Sequence, residues 1–282
     1  MTAENPSRMP SIPSSFRSIA DRANMLHGTF SILESERSEQ CVSVDRIDVN
    51  QYSDLIDEAV RVFWRTRDEQ LNAENKKSDQ CNRGAVTGGK HLDGFARLFR
   101  HVAFDIGVPE SCIISKGSTV PGFFRPTKSW DQLIVTPRKQ LISAIEFKSQ
   151  KGSFGNNLNN RAEEALGNAV DLWTAFREKS FPQIKPPWIG YLVLVERSAT
   201  SKRVVRVSEP HFRVREEFRE TSYLDRYVLL CQKLMLEKHY SHAALIWTEE
   251  NGEFGYLDDE ISIQSQLRSF IGHLHAHLDQ FS

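Results

Sequence analysis

Leu141-Ile-Ser-Ala-Ile-Glu-Phe-Lys-Ser149 is the stretch that decides how this chain folds. The run is apolar, rich in β-formers and short, which predicts a strand. Glu146 and Lys148 stand two positions apart in it. Successive side chains of a strand alternate, so this carboxylate and this ammonium share one face. Burying both is unfavourable unless each has a partner or a task. Just upstream, Trp130-Asp-Gln-Leu-Ile-Val135 is a second strand-like run and carries a third charge, Asp131. The order is therefore an aspartate, a turn, then Glu-x-Lys, on two neighbouring strands of a hairpin.

Two carboxylates brought together can hold a divalent cation through hard oxygen ligands. A lysine beside them can steer a water. That set suits metal-assisted hydrolysis of a phosphodiester. The faces coincide only in some registers. Pairing Val135 with Gln140 sets Asp131 opposite Ala144 and diagonal to Glu146. Pairing Val135 with Leu141 puts the charges on opposite faces unless a bulge restores them. The first register is expected, because it gathers the three charges.

Composition fits a soluble globular protein: 282 residues, 39% hydrophobic and 26% charged. No apolar run approaches the roughly 20 residues of a membrane span, and no apolar core follows the first basic residue, so neither a membrane helix nor a secretory signal is expected. The four cysteines, Cys41, Cys81, Cys112 and Cys231, are scattered and form no C-x-x-C pair. That argues against a zinc site or disulfide framework and for a reducing cytoplasm. The formal net charge is −1, yet residues 111–161 hold eight basic residues (Lys116, Arg125, Lys128, Arg138, Lys139, Lys148, Lys151, Arg161) against Asp131 and Glu146 alone. Positive charge concentrated around two carboxylates is what a phosphate-binding site requires.

Residues 1–50, rich in Ser, Arg, Asn and Pro, read as a flexible extension with a short strand near Cys41–Val44; residues 51–282 read as the folded domain. Apolar spacing predicts helices over Tyr52–Leu71, Leu92–Ile106, Arg161–Arg177, Tyr223–Leu236 and Ile261–Leu278. Strands are expected near 130–135, 141–149, 188–195 and 243–247, the third a continuous apolar run typical of a central strand. Residues 72–90, 117–128, 152–160 and 197–220 read as loops or irregular excursions. Strands flanked on both sides by helices make this an α/β protein with a mixed central sheet.

Asp131 followed after a turn by Glu146-x-Lys148 resembles the catalytic signature of the PD-(D/E)xK nuclease superfamily, with Trp130 where the nominal motif has proline. Two longer blocks, Gly122-Phe-Phe-Arg-Pro-Thr-Lys-Ser-Trp-Asp131 and Ser153-Phe-Gly-Asn-Asn-Leu-Asn-Asn-Arg-Ala-Glu-Glu-Ala165, resemble the XhoI-type type II restriction endonucleases. The resemblance extends from about Phe63 to Leu236. It implies a restriction-endonuclease-like core and a homodimer that uses Mg²⁺ to cut a short palindrome in double-stranded DNA, CTCGAG in the named relatives. It also implies a partner DNA methyltransferase that protects the host. A structure-selective or repair nuclease of the same fold, or a non-cleaving DNA-binding protein, is compatible with the same residues.

In that reading Asp131 and Glu146 ligate Mg²⁺, the carbonyl of Phe147 can add a ligand, and Lys148 positions the attacking water and offsets transition-state charge. Asn156, Asn157, Asn160 and Arg161 follow the catalytic strand and suit base contacts. A helix opening near Asn160 would aim backbone N–H groups at a phosphate; capping and turn chemistry accounts for the asparagines equally well. Arg125 and Lys128 are candidates for phosphate contact. Asp93, Glu58 and Glu163 are further acids weighed for the metal, and helix capping explains Asp93 as simply. Gly84-Ala-Val-Thr-Gly-Gly-Lys90 falls short of a P-loop, since His91 replaces the required hydroxyl and no strand precedes it. Of His273, His275 and His277, only the first and last share a helix face, and a solvated face is expected there.

Overall fold

The computed structural model describes residues 48–76 and 90–282, with the side chains of residues 70–76 and of Asn156 outside that description. The expectations for residues 1–47 and for the loop over 84–89 lie outside the described residues. The elements run α1 (Ser53–Lys76), α2 (Asp93–Asp105), β1 (Ile113–Ile114), β2 (Thr119–Pro121), β3 (Thr127–Ser129), β4 (Gln132–Val135), β5 (Leu141–Gln150), α3 (Phe154–Arg177), β6 (Trp188–Glu196), α4 (Ala199–Lys202), α5 (Tyr223–Leu236), β7 (His242–Thr248), β8 (Phe254–Gly255) and α6 (Ile263–His275). No helix among the described residues is long and apolar enough to cross a membrane.

One mixed sheet of order β1-β4-β5-β6-β7-β8 organises the unit that starts at Asp48. β4 and β5 are antiparallel, β5-β6-β7 are parallel, and β8 closes antiparallel on β7. β5, β6 and β7 are buried on both faces, because helices cover the sheet on each side. Alternation sorts their side chains into two cores. Ala144, Tyr191, Val193, Val195, Ala243 and Leu245 meet α3 and α5 through Ala165, Ala169, Leu172, Tyr227 and Leu234. On the other face Phe147 and Trp188 pack on Phe99 of α2 and Phe270 of α6. The expected α/β architecture with a mixed, helix-flanked sheet is the one formed.

The β4–β5 register is not the expected one. Val135 pairs with Leu141 rather than Gln140, but the register shifts after Ile134, which pairs with Ser143. Ile142 is thus an extra residue in β5, a bulge. Beyond it Leu133 pairs with Ala144 and Gln132 with Ile145, which sets Asp131 across from Glu146 on the same face. His273 of α6 donates its Nε2–H to the carbonyl of Ile142 at 3.1 Å, so the bulge's backbone acceptor is satisfied. His273 is half-buried, His277 is buried, and their rings stack at 4.1 Å. The solvated face expected there is instead packed against the bulge.

Two loops also differ from expectation. Helix α3 opens at Phe154, not near Asn160. Gly152 and Ser153 both take positive φ and turn the chain out of β5. Phe154 is then buried and stacks on Tyr223 at 5.7 Å. Burying that ring outweighs the poor helix propensity of the asparagines behind it. Within the expected loop over 117–128, β2 and β3 form a separate antiparallel hairpin.

Candidate active site

β5 carries Glu146 and Lys148 toward the α3 side of the sheet. The Glu146 side chain is only 4% exposed, and each oxygen holds an ammonium: Lys148 Nζ lies 2.6 Å from Oε1, and Lys128 Nζ lies 2.9 Å from Oε2. A buried carboxylate needs that compensation. Lys128 comes from β3, where it also bonds the Ser129 carbonyl and lies over the Trp130 ring, 5.0 Å from its centroid. Lys148 approaches Glu164 of α3 at 3.7 Å, and Glu164 accepts from Arg161 at 2.7 Å. Arg161 also reaches the Ser149 carbonyl.

Asp131 sits where β4 begins, oriented by the backbone N–H of Phe147, which donates to its Oδ2 at 2.6 Å. It keeps solvent on one side, yet its carboxyl is crowded. Burial first, and the charge of Glu146 second, push its pKa up to about 6 against the pull of the Phe147 N–H, Lys148 and Lys128. Two acids that repel each other across adjacent strands are relieved by a cation between them. Hard carboxylate oxygens suit Mg²⁺, which is commonly held by one or two carboxylates while waters and phosphate oxygens complete its octahedron. Among the described residues no third His, Cys, Asp or Glu joins such a set. Asp93 opens α2 and is exposed, and Leu92 occupies the cap position there. Glu58 pairs with Arg65, and Glu163 is exposed.

The candidate DNA-contact residues divide. Lys128 belongs to the acidic pair. Arg125 is tied to α3, its Nε on Asp171 at 2.7 Å and its Nη2 on Asn168 at 2.8 Å. Asn157 is half-buried and Asn160 exposed in the first turns of α3. The sequence reading missed Glu164, Asn168 and Asp171. With Arg161 they fall at i, i+3, i+7 and i+10, one polar stripe on an otherwise alanine-rich helix, and that period was the available signal.

A cation entering this site competes with the two ammonium groups. Lys128→Met is therefore expected to tighten Mn²⁺ binding several-fold in isothermal titration, because one like charge leaves Glu146 Oε2 free. Equal or weaker binding contradicts this.

Three histidines make the fold acid-sensitive. Burial lowers His91, His242 and His273 from 6.5 to about 4, helped at His91 by Arg67 and Arg161 and at His273 by His277. Between about pH 6.5 and 4 the unfolded chain therefore binds more protons at three imidazoles. Asp131, raised from 3.8 to about 6, works the other way at one group. The net effect is a loss of stability as pH falls through that window, at about 1.4 kcal/mol per pH unit for each proton of difference. The melting temperature is expected to fall steadily from pH 7.5 to pH 5; a flat or rising trend contradicts the burial of these rings.

Comparison with known proteins bears on the whole site. The family model described as restriction endonuclease XhoI matches residues 71–257. The chain is 45% identical over 188 residues to the type II restriction enzyme BstVI of Geobacillus stearothermophilus, covering 64% of this chain and 84% of the relative. It is 44% identical over 195 residues to the type II restriction enzyme XhoI of Xanthomonas vasicola, covering 68% and 78%. It is 42% identical over 172 residues to the type II restriction enzyme AbrI of Azospirillum brasilense, covering 59% and 77%. No solved structure gives a significant match.

Proposed function

This chain belongs to the XhoI restriction endonuclease family, and on that premise we propose that Asp131, Glu146 and Lys148 are the groups with which it cuts double-stranded DNA. It is a type II restriction endonuclease, a site-specific deoxyribonuclease. The observation that carries the residue assignment is the bulged β4–β5 pair, which sets Asp131 beside Glu146 with Lys148 2.6 Å from the latter.

Asp131 and Glu146 would hold Mg²⁺, with the Phe147 carbonyl as a further oxygen. A divalent cation there supplies Lewis acidity to a phosphoryl oxygen. Lys148 donates to the attacking water and to charge that builds on the phosphorus centre. Its shared contact with Glu146 and Glu164 fixes where that ammonium sits. The water's oxygen gives up a proton to solvent and forms the new P–O bond in line as the ester P–O bond breaks, and the leaving oxygen takes a proton from solvent. No enzyme nucleophile is needed. Lys128, Arg125 and Arg161 supply positive charge to neighbouring phosphates. Asn157 and Asn160, in the first turns of α3, contact bases, and Asn156 is assigned the same role from its place in the sequence. The protein works as a homodimer in the cytoplasm, so that a two-fold assembly meets a palindrome, with CTCGAG as the site to try first and a methyltransferase guarding the host's own copies.

The test is a digest of unmodified phage DNA with Mg²⁺. A discrete ladder whose ends read one palindrome, and which vanishes in the Lys148→Ala protein, supports the reading. A smear, cutting confined to junctions, or bound but intact DNA speaks against it.

A further inference from the structure

We propose that Phe123 and Phe124, at the tip of the β2–β3 hairpin, form an aromatic wedge that enters the base stack of the bound duplex within a few base steps of the cut. The inference rests on the duplex-DNA reading above.

Both rings are out in water: Phe123 is 51% exposed and Phe124 70%. They meet edge to face, 5.0 Å apart at 82°, so the more exposed Phe124 leads and Phe123 backs it. A pair of bare rings on a loop would ordinarily fold back onto the protein. Here the backbone beneath them is held from below. Asp171 of α3, its side chain 5% exposed, accepts from the N–H of Phe123 and of Phe124, each at 2.8 Å, and from Arg125 Nε. Gly122 lets the turn close, because a Cβ there would lie 2.6 Å from both the Arg125 carbonyl and an Asp171 oxygen. The rings are thus presented on a rigid mount, the condition a wedge needs.

Position and charge identify the occupant. The hairpin that holds the rings also delivers Lys128 to Glu146, so the tip is continuous with the cutting site. Along α3, seven residues separate Glu164, beside Lys148, from Asp171 beneath the tip. At 1.5 Å per residue that is about 10 Å, short enough for one duplex to meet both the tip and the cutting site. The segment bearing the rings is strongly basic, with eight cations to two acids over 111–161, which matches a polyanion. Phenylalanine wedges between base steps are a known way to unstack and kink a duplex. Pyrimidine–purine steps yield most easily, so the pair would add sequence preference without a base hydrogen bond.

The experiment begins from the mapped cut. Duplexes spanning it carry 2-aminopurine in turn at each base within about four steps, with Ca²⁺ replacing Mg²⁺ to hold binding without cleavage. Wild-type protein is expected to raise the fluorescence at one step, and so is Phe212→Ala, a control at a ring exposed elsewhere. Phe124→Ala is expected to lose the rise and at least about tenfold in kcat/KM, with its melting temperature unchanged. Three results overturn the inference: no rise at any position for bound wild-type protein, a rise that persists in the double Phe123→Ala/Phe124→Ala variant, or conversion of that variant from dimer to monomer in sedimentation, which would make the rings an interface between copies. If wild-type protein neither binds nor cuts duplex DNA, the functional reading itself fails.

Discussion

Lys148→Ala is expected to lower single-turnover cleavage of DNA by roughly 10²- to 10³-fold, the loss typical when one preorganised donor to transition-state charge is removed. The fold is expected to survive. Glu146 keeps Lys128 at 2.9 Å, and Glu164 keeps Arg161 at 2.7 Å, so neither carboxylate is left alone. DNA affinity in Ca²⁺ is expected to change far less than the rate, since one ammonium among eight basic residues of the segment is lost. Lys148→Arg is not expected to rescue. The ammonium sits at 2.6 Å from a carboxylate that is 4% exposed, and a planar fork does not fit that point contact. A Lys148→Ala protein that cuts within about threefold of wild type, a difference well under 1.4 kcal/mol, would remove Lys148 from the chemistry.

Asp171→Ala is expected to have the largest effect on stability. Burial pushes this carboxyl's pKa up, but the donors from Phe124, Arg125 and Phe123 outweigh it and hold the pKa below the ordinary value. Truncation orphans two backbone N–H groups and a guanidinium at once. Breaking a buried, hydrogen-bonded ion pair on one side costs about 3 kcal/mol, with Arg125 at 40% exposure keeping the figure at the lower end. For a folded unit of this size that is a drop of roughly 6–12 °C in melting temperature. The hairpin tip would loosen first, so amide exchange at Phe123 and Phe124 is expected to accelerate more than exchange in β6. Cleavage should fall too, because the hairpin tip and Arg125 would no longer be held in place for the duplex. Asp171→Asn keeps an acceptor but loses the charge, and is expected to fall between. An Asp171→Ala protein that melts with the wild type would mean that the clamp does not hold the hairpin.

The strand that carries Glu146 and Lys148 was legible because its signal is local. A short run rich in apolar β-formers over Leu141–Ser149 and an unbroken apolar run at 188–195 point to strands, and β5 and β6 appear where those patterns lie. The bulge at Ile142 was not legible in the same way. It depends on a carbonyl finding His273, 131 residues away, and on both charges being worth gathering. The start of α3 was misread for a related reason: four asparagines argue for a loop, and only Phe154 burying its ring beside Tyr223 overrules them.

Residue order by itself determined the α/β class, the central strands, and the two acids and one lysine that belong together. Tertiary structure alone decided which faces meet. It put Lys128 on Glu146, brought Glu164 rather than Glu163 to Lys148, and mounted two bare phenylalanines on Asp171. The physical reason is range: alternation and propensity act between neighbours a few residues apart, whereas buried charges are matched by whatever partner the packed elements carry within about 3 Å.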